Sequence, residues 1–394
     1  MKRFNTAAVC LPSEHYMADL SERVREIKKM VDDEKYFTIT RPGQYGKTTI
    51  LCALKNVLEK TYAVAGISFG TLSAADFDTE QSFIEAFCRL IKRENGKGLS
   101  IPSVILKQLE GYLVRKADEA TLSELYDTLS EWCELSAKPV VLIVDDVDTE
   151  PDNQVFRDFL AQLRCGYISR DMNDEPFFHS VILAGVTDVK SPRNEIHAGK
   201  VYIERSPWNI AADFTLDMSL SETDIKGMLD EYEADHHTGM NTEAAAKSIR
   251  GYTNGYPFLV SRICQLIDEK LVPSVFAARK EAWTEAGVEE AVKLILAEKN
   301  PLFDFLIKKI CKCDKLKEML HAILLQGDAA YLMGNEEQKQ LIEYGFIVPA
   351  NSRVRVANRI IEMCLNKYFA GESRQTEEPG GDALDHLPEI VKKR

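Results

Sequence analysis

Apolar residues fall into two patterns along the first half of the chain. Short runs at 36–40, 63–69, 140–144 and 180–188 are nearly continuous. Runs of that length read as strands buried on both faces. Between them the apolar positions take helical spacing. Leu20, Val24, Ile27 and Val31 predict a helix over 20–31. The same period predicts helices over 81–93 and 121–135, and Val155, Phe156, Phe159, Leu160 and Leu163 place another over 153–164. Strands alternating with helices argue for a parallel α/β sheet. Residues 4–19 read as extended and loop-like, and 95–100 as a turn-rich connection.

Beyond 207 the pattern changes. A short strand is expected at 214–218, then helices at 221–236, 242–253 and 257–270. Ser221 and Asp224 have the spacing of a capping box. Gly255 suits a helix C-cap, and Pro257 suits the first position of the next helix. Further helices are expected at 283–304, 316–325 and 336–344. A hairpin at 346–356 around Pro349-Ala350-Asn351-Ser352 and a closing helix at 358–369 follow. The expected organisation is an α/β core with an N-terminal linker helix over 1–218, a helical lid over 219–300, and a winged-helix-like domain over 301–370. A polar, disordered tail over 371–394 completes it, with 384–391 apolar enough to dock.

Composition narrows the class. With 394 residues, 45% hydrophobic and 28% charged, the chain suits a soluble protein of two or three domains. No apolar run approaches a bilayer span, and Met1-Lys2-Arg3-Phe4 has no long apolar region behind its charges, so neither a membrane partner nor a secretory leader is expected. Nine scattered cysteines read as free thiols of a cytoplasmic protein; Cys311-Lys312-Cys313 has no second pair nearby. His236-His237 reads as a contact to a helix C-terminus rather than a ligand pair. The net charge of −13 opposes a surface coated in DNA contacts. Arg353, Arg355 and Arg359 give the C-terminal module local positive charge, but Glu336, Glu337 and Glu343 oppose it, so DNA contact there is admitted and not favoured.

The chemistry centres on two stretches. The first is Arg41-Pro42-Gly43-Gln44-Tyr45-Gly46-Lys47-Thr48-Thr49, between the strand at 36–40 and a helix at 50–59. Strand, glycine loop, Gly-Lys-Thr and helix in that order form a phosphate-binding loop. Backbone N–H groups and the helix dipole face the phosphates, Lys47 adds a point charge, and the Thr48 hydroxyl suits Mg²⁺. Arg41 stands where the full pattern has its first glycine. The second stretch is 138–148, five apolar residues closed by Asp145, Asp146 and Asp148. Acids at the carboxyl end of a buried parallel strand lie where α/β sheets bind ligands. Asp145 fits a metal-holding carboxylate and Asp146 the one that polarises water; a solvated acidic turn gives the same local pattern. The order and separation of the two stretches favour a nucleotide site. Thr187 and Asp188 end another strand and suit either a γ-phosphate sensor or a capped turn. Residues 15–19 suit either a contact to the base or ordinary packing.

These residues resemble the bacterial AAA-like ATPases related to the STAND class of P-loop NTPases. That group carries Arg-Pro-x-x-[Phe/Tyr]-Gly-Lys-[Ser/Thr], which Arg41 to Thr48 match, along with blocks similar to 181–185, 206–210 and Gly255-Tyr256-Pro257. The resemblance implies a P-loop NTPase sheet with a helical lid and winged helix, ATP and Mg²⁺ as ligands, and Pro257 approaching the nucleotide from the lid. Asp146 is a methylene shorter than the glutamate usual in such ATPases, which puts turnover rather than binding in question. Three functions compete: an ATP-hydrolysing switch, a nucleotide-gated protein that exposes a protein partner's or DNA surface with negligible hydrolysis, and, ranked last, a phosphotransferase. Arg164, Arg170, Arg205 and Arg262 are candidate arginine fingers.

Overall fold

The computed structural model describes residues 2–115, 120–150, 153–189, 196–197, 200–201, 207–276 and 278–376. Four strands form the central sheet: β1 (Tyr36–Thr40), β2 (Ala63–Ser68), β3 (Val140–Asp145) and β4 (Ser180–Gly185). They are all parallel, in the order β1-β4-β3-β2. Every residue of β3 and β4 is buried, as their continuous apolar runs require. Successive side chains serve opposite faces. Val141 and Ile143 join Ile182 and Ala184 in one core with α1 (Ser21–Asp32) and α2 (Lys47–Leu58). Leu142 and Val144 join Leu183 on the other side. There they meet α3 (Glu80–Asn95), α4 (Ser103–Tyr112), α5 (Leu122–Leu135) and α6 (Gln154–Asn173).

Register brings the carboxyl ends level: Thr40 pairs with Gly185, and Ser68 with Asp145. β4 separates β1 from β3, so whatever lies between the loop after β1 and the acids after β3 sits over the end of β4. At the outer edge of β1, Ala212 forms a single parallel bridge to Phe37 and donates to the Tyr36 carbonyl at 2.7 Å. The strand expected at 214–218 is not formed. The chain leaves the sheet after that one bridge, and Phe214 stacks on Phe37 instead. A two-residue ribbon, β5 (Ile196–His197) with β6 (Lys200–Val201), precedes it.

The rest is mostly helical: α7 (Glu222–His236), α8 (Thr242–Thr253), α9 (Pro257–Leu266), a π turn (Ile267–Leu271), α10 (Val272–Ser274), α11 (Arg279–Ala282) and α12 (Glu285–Ala297). Ser221 and Asp224 close the expected capping box, and Pro257 is at the start of α9. The C-cap of α8 is Asn254, one residue earlier than read, with Gly255 just outside. The single helix expected over 283–304 is two. Asn300 caps a new helix, α13 (Pro301–Ile310), and Pro301 lacks the N–H that would continue the old one. Then come α14 (Asp314–Gln326), β7 (Asp328–Ala330), α15 (Glu336–Tyr344), β8 (Ile347–Ala350), β9 (Arg353–Val356) and α16 (Arg359–Thr376). The hairpin β8–β9 turns on Asn351 and Ser352, both at positive φ, the geometry that matches strand twist. β7 adds to β9, giving an antiparallel sheet of order β7-β9-β8. The tail expected over 371–394 begins inside α16, and 377–394 lie outside the described residues.

The lid and the C-terminal module share one hydrophobic core, which also takes Phe4 and Tyr16 from the N-terminal segment. Tyr16 donates to Asp235 Oδ2 at 2.7 Å, so that segment is fastened to the lid. Among the described residues no helix is long and apolar enough to cross a membrane.

Candidate functional site

The loop after β1 enters α2 through Gly46, which takes φ 82° as the helix N-cap. Lys47 is the first helical residue and is 8% exposed. Its Nζ donates to the Arg41 carbonyl at 2.9 Å and to the Pro42 carbonyl at 3.0 Å, so the ammonium folds back under its own loop. Burial holds its pKa below the usual lysine value, against the pull of Asp148, then Asp145 and Asp146. Thr48 is exposed, and its Oγ1 donates to Asp145 Oδ2 at 2.6 Å. The other oxygen of Asp145 accepts from the Asp146 N–H at 3.0 Å. Asp145 is 6% exposed, and burial raises its pKa, partly offset by the Thr48 hydrogen bond. The two stretches singled out in the sequence, 97 positions apart, thus meet at one hydroxyl and one carboxylate.

A hard divalent cation fits these donors. Thr48 and Asp145 offer oxygen atoms only, and the buried carboxylate gains from a nearby positive charge. Among the described residues there is no group of three or more His, Cys, Asp or Glu that would hold a metal unaided.

The other expected residues sort themselves. Gln44 (φ 57°) shapes the loop, and Thr49 Oγ1 accepts from the Cys10 N–H at 3.2 Å, joining the loop helix to the N-terminal segment. Arg41 contributes its backbone. Its guanidinium turns outward to the Thr40 and Leu216 carbonyls and lies 5.2 Å over the Phe214 ring, so it anchors the segment after the Ala212 bridge. Asp146 takes φ 55°, and its carboxylate accepts from Ser68 Oγ at 2.8 Å, turned toward the end of β2. Pro257 lines a cavity of ≈ 80 Å³ with Met17, Ala18, Tyr45, Met218 and Met228. Of residues 15–19, Met17 and Ala18 therefore face the space beside the loop, whereas Tyr16 serves the lid core.

Sequence reading missed the contacts that close over the loop. Tyr256 donates its hydroxyl to the Gly43 carbonyl and packs edge-on against Tyr45 at 4.8 Å. Gly345 abuts Pro42: a Cβ there would lie 2.8 Å from the proline ring. Glu343 Oε1 accepts from the Asp188 N–H at 3.3 Å, just past β4. It also gave Asp148, one of the acids closing the 138–148 stretch, no role of its own. Val147 continues the β3–β4 ladder, donating to the Ala184 carbonyl at 3.0 Å. The next residue therefore hangs over Gly185, where an added Cβ would lie 2.5 Å from Asp148 Oδ1. Among the turn's carboxylates Asp148 pulls hardest on Lys47. A phosphate chain must displace that attraction. Asp148→Asn is expected to tighten binding of a nucleoside triphosphate by on the order of 1 kcal/mol, about fivefold in Kd by calorimetric titration. Gly185→Ala, which pushes the carboxylate aside, should act in the same direction.

Three of the four candidate arginine fingers make contacts away from the loop. Arg170 donates to the Phe178 and His179 carbonyls at 2.6 and 2.7 Å, at the opposite end of the sheet. Arg262 pairs with Glu298 inside the lid, and Arg164 donates to Asn209 Oδ1 at 2.9 Å. Arg205 lies outside the described residues.

The sequence profile of the AAA-like domain family matches residues 4–290. None of the curated proteins is detectably similar in sequence. Among solved structures, the chain is similar to the Walker-type ATPase PABY2304 of Pyrococcus abyssi, at 12% identity and TM-score 0.60, covering 92% of this chain and 99% of that one. It is also similar to RuvB of Thermotoga maritima, described as a Holliday junction branch migration motor, at 14% identity and TM-score 0.42, covering 85% and 91%. ORC1 of Aeropyrum pernix, solved in complex with DNA, aligns at 11% identity and TM-score 0.37, covering 91% and 94%. The first likeness concerns the fold alone: a parallel α/β sheet flanked by helices.

Proposed function

Because this chain belongs to the AAA-like domain family, we propose that it binds ATP and hydrolyses it to ADP and phosphate as a conformational switch. The observation that carries this reading is the 2.6 Å bond from Thr48 to Asp145, beside a buried lysine at the amino end of α2. In this reading the loop N–H groups and Lys47 bind the β- and γ-phosphates, Lys47 exchanging its loop carbonyls for phosphate oxygens. Thr48 and Asp145 would hold magnesium, whose charge offsets that of the phosphates. The base enters the space lined by Met17, Ala18 and Pro257. Water attacks the γ-phosphorus, and the bond to the bridging oxygen breaks, leaving that oxygen on ADP.

The switch is motivated by the roof. Tyr256 from the lid and Gly345 and Glu343 from the C-terminal module all rest on the loop or on the segment after β4. A phosphate that draws Lys47 off the Arg41 and Pro42 carbonyls changes the surface on which they rest. In this reading helix α14, strand β7, helix α15 and the β8–β9 hairpin form the winged-helix-like domain, and the sheet order β7-β9-β8 supports that assignment and with it a relation to the STAND class. Two arginines of that module are occupied: Arg353 pairs with Asp328 at 2.6 Å, and Arg359 lies 4.5 Å over Tyr252. This weakens the case for DNA contact through the wing.

A second reading, nucleotide-gated binding with negligible hydrolysis, is favoured by Asp146, which is short and held by Ser68. Phosphate release in the presence of magnesium separates the two. A switch that hydrolyses should release phosphate slowly and lose that release in Asp145→Asn. Release that survives Asp145→Asn overturns the proposal. A silent wild type that gains turnover in Asp146→Glu establishes the second reading.

A further inference from the structure

The most basic stretch of this acidic chain was absorbed by none of the functions above. Residues 306–317 hold five lysines against one aspartate, a local net charge of +4 in a chain of −13. The structure folds this stretch into the corner between α13 and α14. Two of the lysines are spent on the protein. Lys309 lies 5.2 and 4.8 Å over the rings of Phe305 and Tyr344, and Lys317 lies 5.7 Å over Tyr368. Tyr368 also places its hydroxyl 3.3 Å from Cys311 Sγ, so α16 pins the corner from below. The remaining three, Lys308, Lys312 and Lys315, are exposed. None of them shows an ion pair among the described residues. Lys308 is in the last turn of α13, Lys312 lies between the helices and Lys315 is in the first turn of α14, so the three exposed charges flank one corner.

We propose that this corner is a docking surface for the phosphate backbone of a nucleic acid, bound without regard to sequence. The chemistry of the patch selects that partner. Lysine ammoniums are compact point charges that suit single phosphates, whereas base recognition prefers forked donors. Protein–protein interfaces are depleted in lysine and need apolar or aromatic anchors at their centre. The exposed large apolar side chains of the C-terminal module are instead Leu325, Tyr331, Leu332, Met333 and Met363, and none lies in the 308–315 corner. A membrane surface would likewise call for apolar side chains among the lysines. The site is distinct from the hairpin arginines. It does not depend on the nucleotide reading and stands or falls separately.

The test is fluorescence anisotropy of short labelled single- and double-stranded oligonucleotides with the full chain. Three phosphate contacts predict that affinity falls about fortyfold between roughly 50 and 200 mM salt. Lys308→Ala/Lys312→Ala/Lys315→Ala should abolish most of the binding and flatten its salt dependence. The triple arginine variant should keep both, and Arg353→Ala/Arg355→Ala should change neither. All five positions are on the surface, so circular dichroism should show every variant folded. The proposal is overturned by wild type that ignores both oligonucleotides at low salt, or by a triple alanine variant that binds like wild type. Binding to phosphatidylserine vesicles or a polyglutamate peptide in place of the oligonucleotides also overturns it.

Discussion

Lys47→Ala is expected to lose hydrolysis by about 10²–10³-fold while the fold survives. Removing one preorganised donor from a phosphoryl-transfer site costs about 3–4 kcal/mol of transition-state stabilisation. Among the described residues no neighbour is placed to substitute. The Arg41 guanidinium points away, to Leu216 and the Phe214 ring, and the candidate arginine fingers in the described part of the chain are bonded elsewhere. Stability should change little because two effects oppose each other. The Arg41 and Pro42 carbonyls lose a donor, but a desolvated ammonium at 8% exposure is also removed. Phosphate release together with a thermal melt checks both parts. A variant that keeps wild-type turnover refutes the role of Lys47, and one that no longer folds refutes the stability argument.

Gly255→Ala should be the most damaging small substitution for lid geometry, at about 3 kcal/mol. Two costs add. The residue sits at φ 72°, where a side chain costs about 1 kcal/mol. A built Cβ would also lie 2.2 Å from the Leu220 carbonyl oxygen, which calls for a backbone shift of about 2 kcal/mol more. Leu220 cannot move alone, because its N–H donates to the Gly255 carbonyl at 2.8 Å. The strain falls one and two residues before Tyr256 and Pro257, the lid's contacts to the loop and to the cavity beside it. Nucleotide affinity should therefore fall along with stability. Gly251→Ala is the control: it lies inside α8, where a Cβ meets nothing within 4 Å, and should be neutral or stabilising by up to about 1 kcal/mol. Denaturant melts compare the two. Equal stabilities would contradict the geometry at Gly255.

The sheet and the loop were readable in the chain because their signals are local. β3 and β4 are unbroken apolar runs, and Gly46-Lys47-Thr48 marks the start of α2 within a few residues. What stayed hidden depends on contacts between distant segments. The Tyr256–Gly43 bond spans 213 positions, and the Asp188–Glu343 bond spans 155. No periodicity announces either one. β7 is a strand only because β9 pairs with it: Asp328-Ala329-Ala330 has no strand-like composition. α4 hides for another reason, since Val104, Ile105 and Leu106 are consecutive and blur the helical period. The acids after β3 show how one dihedral changes roles. Strand alternation alone cannot predict that Asp146 takes φ 55° and turns to Ser68, leaving Asp148 over Gly185 as the carboxylate that pulls hardest on Lys47.

In the proposed function the Thr48–Asp145 pair would hold magnesium, so the most direct measurement is calorimetric titration of ATP into the protein with and without magnesium, repeated on Lys47→Ala. The account predicts saturable binding to the wild type that strengthens with magnesium and collapses in the variant. Wild type that takes up no ATP, or a variant that binds it equally well, would contradict a nucleotide seated at the amino end of α2.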